Sequence, residues 1–375
     1  MKIAIDISYL QTRRAGYGHH TTELVNALLQ YGSEHSYTLW GWSSSLDKLS
    51  IEKLKRSNVK IEIASIPGFV KRFYWNSLKF PDIRTFAGDF DIFHSIEPLL
   101  PPVNKKKTVL TVHDLAYKKY PQFFESNVLK WDKFINRNVH SADAILVQSQ
   151  QTKNDVKEFF NVKEEKIHII HLPVNSIFNS TADTETKSKI REKYNLRHPF
   201  VLFVGTLEPR KNIPTLIRAF EKFHKSLTSE LNLVIVGKHG WLYDDIINSI
   251  NNSYEKNRIH YLNYLPEIEL ASIYQLAQFL IYPSLYEGYG VPVLEAMASG
   301  TPVITSNSSS LREVGEGAAI LVDPTSVEEL ADEMTRLSDN QSLRNELSKK
   351  GLDRIKLFNS KTAAEKVLNI YKQLS

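Results

Sequence analysis

The sequence contains no cysteine, which excludes disulfide bonds and thiolate metal ligands. It also lacks any run of about 18 apolar residues, the length that a membrane-spanning helix needs. The opening MKIAIDISYL is short, contains Asp6 and has no small-residue cleavage pattern, so we interpret it as a first buried strand and not as a signal peptide. These absences favour a cytoplasmic protein that does not cross a bilayer by itself.

A dominant charge of one sign is missing as well. The 47 lysines and arginines nearly balance the 42 aspartates and glutamates. A nucleic-acid-binding domain would concentrate basic residues on one face, so we expect no nucleic-acid partner. The small basic excess suits an anionic small ligand or a lipid headgroup.

Short buried strands alternate with amphipathic helices along the whole chain, which has 375 residues and exceeds what one core usually supports. The alternation, with near-continuous apolar strands in the second half, predicts an α/β fold of two Rossmann-like domains with parallel sheets. The strand candidates are residues 2–8, 36–42, 59–65, 91–95, 108–114, 144–149, 166–171, 200–205, 231–237, 259–264, 279–284 and 301–306.

The domain boundary is predicted from a polar stretch, residues 179–194, which resembles a linker in composition. We therefore expect an N-terminal domain over 1–180 and a C-terminal domain over 181–357. The last helix, about 358–375, has an apolar face that needs a partner, and it could pack back on the N-terminal domain.

The segment YEGYGVPVLE, residues 286–295, places two carboxylates around a glycine loop that leads into a helix. Gly288 and Gly290 would precede a helix N-terminus, whose free N–H groups favour hydroxyl or phosphate oxygens. Glu287 stands just outside the helix and Glu295 about one turn inside it. Each glutamate alone could be a solvated charge, but the combination indicates a ligand site at the carboxyl edge of a sheet.

A second candidate site is GTLEPRKNIPTLIRAF, which follows the strand ending at Gly205. Arg210 and Lys211 stand just before a helix with an apolar stripe. Two fixed cations there can neutralise a diphosphate, arginine through forked hydrogen bonds and lysine as a point charge. Because cations at a helix start oppose the helix dipole, a purely solvated role is the less favoured interpretation.

Two further features lie in the first half of the chain. RRAGYGHH, residues 13–20, is a glycine loop between the first strand and the first helix, with Gly16 and Gly18. TVHDLAY ends a strand on His113 and Asp114. A lone histidine is more often structural, but the acid–base chemistry of the imidazole makes His113 a functional candidate.

The run EGYGVPVLEAMASGTPVI resembles the signature of glycosyltransferase family 4, within the GT-B fold, and GTLEPRKN resembles the diphosphate-binding segment of that family. The resemblance extends over nearly the whole chain and implies two Rossmann-like domains whose parallel sheets face each other across a cleft. Where the family often has two adjacent glycines in its first loop, this chain has Ala15, Gly16, Tyr17 and Gly18. The first loop therefore departs from the family pattern at the position implied to contact the phosphates.

The resemblance also implies roles for matched positions. Glu295 would bind the nucleotide ribose, and Glu287 would lie beside the donor sugar. Arg210 and Lys211 would hold the diphosphate, and His113 would contact the transferred sugar. The implied donor-binding residues are Gly16, Gly18, Gly205, Thr206, Arg210, Lys211, Glu287, Gly288, Tyr289, Gly290, Val291 and Glu295, and the implied catalytic residues are His113, Glu287, Arg210 and Lys211.

The activity implied by the resemblance is that of a retaining hexosyltransferase that uses no metal and no cofactor. The overall pattern is similar to bacterial mannosyltransferases of polysaccharide assembly, so GDP-mannose is the favoured donor, with UDP-sugars the alternative. The acceptor would be a glycan or a lipid-linked glycan. The basic and aromatic segment 70–80 could contact the inner face of the cytoplasmic membrane. The oligomeric state is not readable.

Three competing interpretations are less favoured. Asp89 and Asp91 spell D-x-D, typical of metal-dependent transferases, but Arg210 and Lys211 could supply the charge of a metal ion. The first glycine loop approaches the dinucleotide fingerprint G-x-G-x-x-G, but Thr21 replaces the third glycine. A non-catalytic nucleotide-sugar-binding protein would be expected to have lost one of the chemical residues, and all of them are present.

Overall fold

The computed structural model describes residues 1–8, 10, 16–42, 48–64, 75, 80–96, 99–124, 132–226 and 230–375. The chain forms two compact units. The first comprises Met1–Lys118, Glu125–Pro173 and Phe358–Ser375, and the second comprises Lys119–Phe124 and Val174–Leu357. The chain thus passes from the first unit to the second after Pro173, seven residues before the predicted boundary at residue 180. An earlier short segment, Lys119–Phe124, also belongs to the second unit.

The first unit is built on a parallel sheet with the strand order β3-β2-β1-β4-β5-β6-β7. The chain lays down its first three strands in one direction and then crosses back to place β4 beside β1. This reversal is the switch point at which open α/β sheets bind ligands. The strands are β1 Lys2–Asp6, β2 Ser36–Trp42, β3 Val59–Ala64, β4 Ile92–Ser95, β5 Lys107–Thr111, β6 Ala144–Val147 and β7 Ile167–Ile169.

Helices connect most of these strands, as is usual for crossovers between parallel strands, and β4 leads to β5 without a helix in the described part of the connection. Short turns of 3₁₀ helix also occur, one of them at Pro121–Phe123 in the segment that belongs to the second unit. The helices up to the change of unit are α1 Gly16–Tyr31, α2 Lys48–Leu54, α3 Arg84–Ala87, α4 Ala116–Lys119, α5 Asp132–Ser141 and α6 Gln150–Phe160.

The second unit repeats the plan with the order β10-β9-β8-β11-β12-β13, again parallel. Its switch point lies between β8 and β11. The short strand β13 was not predicted from the sequence, because two of its three residues are only half-buried and the apolar run is brief. The strands are β8 Phe200–Val204, β9 Asn232–Val236, β10 Ile259–Leu262, β11 Leu280–Tyr282, β12 Val303–Ser306 and β13 Ile320–Val322.

The helices of the second unit cover the faces of this sheet. The predicted stripe on α8 is confirmed, since its apolar side chains are almost completely buried. These helices are α7 Thr184–Lys193, α8 Ile213–Ser226, α9 Asp244–Asn251, α10 Glu267–Leu276, α11 Val291–Ala298, α12 Ser309–Gly315, α13 Val327–Asp339 and α14 Gln341–Arg354.

The predicted linker over residues 179–194 is wrong, because most of it forms α7. The side chain of Asp183 caps this helix by accepting a hydrogen bond from the Thr186 backbone N–H at 2.7 Å. Of its residues, Ile190 is buried, and most of the helix surface faces water. The polar composition of the helix reflects this exposure. A polar composition therefore marked an exposed helix and not a flexible connection.

The last helix, α15 Ser360–Leu374, belongs to the first unit, where it packs against α1. Its apolar face, including Val367 and Leu368, is buried. The Tyr371 hydroxyl lies 2.6 Å from Nδ1 of His94 on β4, so a buried polar contact joins the helix to the sheet. The partner of the apolar face, which the sequence leaves open, is thus the first unit.

The aromatic segment 70–80 lies largely outside the described residues. Of its members the structure describes Trp75, which is buried against Trp40 with ring centroids 5.7 Å apart, and Phe80, which is 66% exposed. Trp75 is therefore a core residue of the first unit. In the parts of the chain that the structure describes, no helix is both long and apolar enough to cross a membrane.

Candidate active site

The residues predicted on separate segments of the second unit meet at the switch point between β8 and β11. These strands are neighbours, with Leu280 opposite Leu202. Arg210 and Lys211 lie in the 3₁₀ turn that follows β8, and Glu287 lies in the loop that follows β11. Because the carboxyl ends of parallel strands share one edge, the fold brings the three charges together.

Glu287 is the centre of this cluster. Its Oε2 accepts a hydrogen bond from Nη1 of Arg210 at 2.8 Å, and its Oε1 accepts one from Nζ of Lys211 at 2.5 Å. Oε1 also accepts hydrogen bonds from the Tyr282 hydroxyl at 2.9 Å and the Ser284 hydroxyl at 2.6 Å. Three of these donors share Oε1 and one lies on Oε2, so both oxygens of the carboxylate are held by neighbouring side chains.

A second carboxylate, Glu208, completes the cluster, and the sequence analysis missed it. Its Oε1 lies 2.6 Å from Nε of Arg210 and 3.9 Å from Nζ of Lys211. Its side chain is 2% exposed, against 14% for Arg210, 7% for Lys211 and 8% for Glu287. Buried charges are costly unless paired, and here two cations match two carboxylates. Glu208 could have been found from the sequence, because it lies in the segment GTLEPRKN, two residues before Arg210.

The cluster shifts the titration of its members. Burial alone would raise the pKa of Glu287, but the charges of Arg210 and Lys211 outweigh burial and lower that pKa to about 2. Burial, together with the charge of Arg210, lowers the pKa of Lys211. Glu287 is therefore an anion at neutral pH and cannot act as a general acid. It fixes the two cations, one through each of its oxygens.

The glycine loop after β11 is held in place from both sides. Gly290 has φ +94°, and a Cβ there would lie 2.7 Å from Leu311, so only glycine fits without strain. The Glu287 backbone N–H donates to the Ser309 hydroxyl at 3.1 Å, and the Ser310 hydroxyl donates to the Glu287 carbonyl at 2.8 Å. The loop is therefore positioned by α12, and the N-terminus of α11 follows it directly.

Glu295 lies about one turn into α11 and is 7% exposed. Its Oε2 accepts a hydrogen bond from the hydroxyl of Tyr274 on α10 at 2.9 Å. Burial, with the neighbouring Glu295 charge, raises the pKa of Tyr274 well above its usual value, so this phenol stays a donor. Glu295 is thus positioned by the hydroxyl of Tyr274, whereas Glu287 is positioned by Arg210 and Lys211.

Gly205 and Thr206 follow β8 where two backbones approach closely. A Cβ on Gly237 would lie 1.8 Å from the Gly205 carbonyl oxygen, and one on Gly240 would lie 2.7 Å from the Leu207 oxygen. Both glycines follow β9 and were missed from the sequence, where an isolated glycine after a strand is a weak signal. They allow the loop that carries Arg210 to sit against the neighbouring loop.

In the first unit, His113 follows β5 and is buried. Its Nε2 lies 3.1 Å from the Ile96 carbonyl, which can only accept, so the proton is on Nε2. Nδ1 lies 3.0 Å from Nε2 of Gln148, which can donate to it. Burial lowers the pKa of His113 to about 4. The ring is therefore neutral at pH 7 with both nitrogens engaged, which suits a positioned hydrogen-bonding group and not an acid–base catalyst.

The first glycine segment differs from the predicted loop. Gly16 begins α1, so Gly16 and Gly18 lie in the first turn of the helix that follows β1. The Gly18 carbonyl accepts a hydrogen bond from the Thr22 hydroxyl at 2.9 Å. Arg13 and Arg14, from the same predicted segment, lie outside the described residues.

The D-x-D pair serves the first sheet. Asp91 accepts a hydrogen bond from the Lys2 backbone N–H at 2.8 Å, and Asp89 pairs with the side chains of Lys2 at 3.3 Å and Lys106 at 3.2 Å. Both aspartates precede β4, at the amino edge of the sheet and away from the carboxyl edge where ligands bind. Their contacts therefore tie the start of β4 to the start of β1.

Two protein-family profiles match the chain. The profile described as Glycosyltransferase Family 4 matches residues 15–176, and the profile described as Glycosyl transferases group 1 matches residues 185–354. Among relatives, O-antigen chain mannosyltransferase B of Escherichia coli is 27% identical over 383 aligned residues that cover 100% of both chains.

Solved structures resemble the whole chain. Sucrose-phosphate synthase of Thermosynechococcus elongatus has a TM-score of 0.79 at 20% identity and covers 100% of this chain and 99% of its own. HepE of Anabaena, solved with UDP and glucose, has a TM-score of 0.77 at 16% identity and covers 100% of both chains. At sequence identities of 20% and 16%, this structural similarity shows the fold alone.

The lowered pKa of Glu287 predicts an acid-dependent loss of stability. Because folding lowers this pKa from 4.5 to about 2, the folded chain binds the proton less readily than the unfolded chain. The stabilisation, about 3 kcal/mol by this shift, is present above pH 4.5 and is lost as the pH falls toward 2. Glu287→Gln should remove this part of the pH dependence and lower stability at pH 7 by about 3–5 kcal/mol, since two buried cations lose a partner.

Calorimetric melting between pH 2.5 and 7 measures both effects. Glu185→Gln, at a glutamate that is 76% exposed, is the matched control and should keep the wild-type profile. A Glu287→Gln profile parallel to wild type between pH 4.5 and 3 would contradict the assignment.

Proposed function

This chain belongs to glycosyltransferase family 4 and is a glycosyltransferase of the GT-B fold, and we propose that it transfers a hexose, with mannose favoured. The donor would be a nucleotide-diphosphate sugar and the acceptor a glycan or lipid-linked glycan. The transfer would retain the anomeric configuration of the sugar. The observation that carries the proposal is the pair of cations, Arg210 and Lys211, fixed by Glu287 at the switch point of the second sheet. Such a pair is suited to a diphosphate leaving group.

Different residues of the second unit would bind different parts of the donor. Arg210 and Lys211 would bind the diphosphate, with the N–H groups of the Gly288–Val291 loop beside it. Glu295 would accept hydrogen bonds from the ribose hydroxyls while Tyr274 holds its other side. Gly205 and Thr206 would allow the donor close to the backbone after β8.

The chemical step would draw on fixed charge. As the bond between the sugar and the diphosphate breaks, negative charge grows on the diphosphate, and Arg210 and Lys211 are already oriented to stabilise it. The acceptor hydroxyl would attack the same face of the sugar and pass its proton to the departing phosphate oxygen. Because His113 is neutral and both of its nitrogens are engaged, it would not take that proton. The role proposed for it is a position beside the transferred sugar.

The choice of donor rests on the relatives. O-antigen chain mannosyltransferase B supports mannose, with GDP-mannose the corresponding donor. UDP-glucose is the second candidate, supported by HepE, which was solved with UDP-glucose. We propose that no divalent ion takes part, because the two cations can supply the positive charge that a metal would bring to the diphosphate.

Donor binding should appear as thermal stabilisation, since a ligand that binds the folded state raises the melting temperature. In the presence of EDTA, we expect GDP-mannose to raise it most in a panel with UDP-glucose, UDP-N-acetylglucosamine and ADP-glucose. Scanning fluorimetry measures the shift. A shift with UDP-sugars alone would overturn mannose in favour of the second candidate, and the absence of any shift would overturn the donor site.

Two substitutions should separate binding from chemistry. Glu295→Gln should raise the donor KM about ten- to hundredfold with little change in kcat, because it weakens hydrogen bonds present before and during reaction. Lys211→Met keeps the aliphatic stem but should lower kcat about 100- to 1,000-fold, because it removes charge stabilisation from the transition state. Steady-state kinetics with Glu316→Gln and Lys222→Ala as exposed controls tests the division. Equal effects of both substitutions on KM alone would refute it.

Stereochemistry tests the retaining course. With GDP-α-mannose and an α-mannoside acceptor, the product should carry an α-linkage, read from the one-bond C1–H1 coupling by NMR, and the rate should survive exhaustive chelation. A β-linked product would refute retention, and loss of activity in EDTA that Mg²⁺ restores would refute the metal-free step.

A further inference from the structure

A polar cavity lies in the second unit at the amino edge of its sheet. Its volume is about 480 Å³, within the range of small-molecule sites. It is lined by Asn195, Arg197 and His198, which precede β8, by Asn232 at the start of β9, and by five residues before and at the start of β10: Tyr254, Glu255, Asn257, Arg258 and His260. It is therefore formed by three separate segments of the chain.

This cavity is distinct from the diphosphate cluster. Arg210 and Glu287 follow the carboxyl ends of their strands, whereas the cavity residues precede or begin theirs. With roughly 3.3 Å of rise per residue, the five residues of β8 alone separate the two edges by about 15 Å. A donor bound by Arg210 would not occupy the cavity.

The lining mixes hydrogen-bond donors with acceptors. Arg197 and Arg258 can only donate, Glu255 can only accept, and the asparagine amides do both. Nε of Arg258 lies 3.5 Å from Glu255, so part of the positive charge is balanced inside the cavity. Burial, with the charge of His198, lowers the pKa of His260, so its ring is neutral at pH 7, and one of its nitrogens, Nε2, is already engaged by the Asn232 amide.

The walls are held in position before any ligand binds. Nδ2 of Asn232, a residue that is 6% exposed, lies 3.0 Å from Nε2 of His260. Glu221 on α8 accepts hydrogen bonds from the Ser253 hydroxyl at 2.7 Å and from the Tyr254 backbone N–H at 2.9 Å. The segment that carries Tyr254 is thereby fixed to the helix beside it.

Tyr254 presents an aromatic ring at the rim of the cavity. It is 88% exposed, more than any other large hydrophobic residue in the described chain. Nζ of Lys225 lies 5.9 Å from the ring centroid, which leaves most of the ring in water. An exposed aromatic surface beside polar groups offers apolar contact and hydrogen bonding to one ligand.

We propose that this cavity binds a neutral oligosaccharide, with a sugar ring stacked on Tyr254 and its hydroxyls bonded to Arg197, Arg258 and the amides around them. Sugar hydroxyls both donate and accept, which matches the mixed lining. A phosphate accepts only, and Glu255 would repel it, so the chemistry favours a sugar. The inference deepens the proposed function by giving the glycan chain a second contact, away from the diphosphate cluster.

Binding of α-mannotetraose and of maltotetraose, measured by saturation-transfer NMR and calorimetry without any donor, tests the proposal. Wild type should bind at least one of them. Tyr254→Ala and Arg197→Ala should weaken binding about three- to tenfold. Tyr254→Phe, which keeps the ring, and Arg336→Ala, at an exposed arginine outside the cavity, should leave it unchanged.

The result is independent of turnover, so failure of the donor assignment would not affect it. Sugar binding that is insensitive to both Tyr254→Ala and Arg197→Ala would overturn the proposal by placing the sugar elsewhere. Failure to bind both tetrasaccharides would overturn it as well. Displacement of the bound sugar by inorganic pyrophosphate in the Glu295→Gln variant would also overturn it, because pyrophosphate is expected at Arg210 and Lys211 and the sugar would then lie there. Circular dichroism of each variant confirms that a loss is local.

Discussion

The second unit depends on the pairing of one buried carboxylate, that of Glu287, with two cations from another strand-to-helix turn. Removing these groups from water costs several kcal/mol per ion, and the cost is offset because both carboxylate oxygens accept hydrogen bonds, two of them from the paired cations. The same bonds fix where Arg210 and Lys211 point. Stability and the proposed chemistry therefore rest on one geometry, in which the diphosphate of the proposed donor would meet cations that need no reorganisation.

That pairing is a consequence of topology. β8 and β11 are adjacent in the sheet, although the chain builds β9 and β10 between them. The loops after β8 and β11 thus leave the sheet at its switch point, where helices on opposite faces open a space. The first unit has the same reversal between β1 and β4, and α1 follows β1 there. In the first unit Gly16 and Gly18 begin the helix at this reversal, and in the second unit the charges lie in the turns and loops at its own reversal.

The sequence predicted what local pattern controls. Every strand predicted from its apolar run is present, because burial on both faces of a parallel sheet leaves a direct record in composition. β13 was missed because it is short and half-buried, and α7 was taken for a linker because its exposed surface is polar. The residues Arg210, Lys211 and Glu287 were found through their motifs. Their mutual contacts, the part played by Glu208 and the tautomer of His113 depend on distant segments, which no local pattern encodes.

The two edges of the second sheet differ for a physical reason. At the carboxyl edge the charges are buried and paired, so a ligand there would meet fixed cations in a region of low dielectric constant, where the strength of a contact depends closely on its geometry. At the amino edge Tyr254 and Arg197 are exposed, so each contact competes with water and is individually weak. Weak, distributed contacts release easily. Such contacts would suit the proposed glycan at this edge, whereas the proposed diphosphate at the other edge would be held in one position.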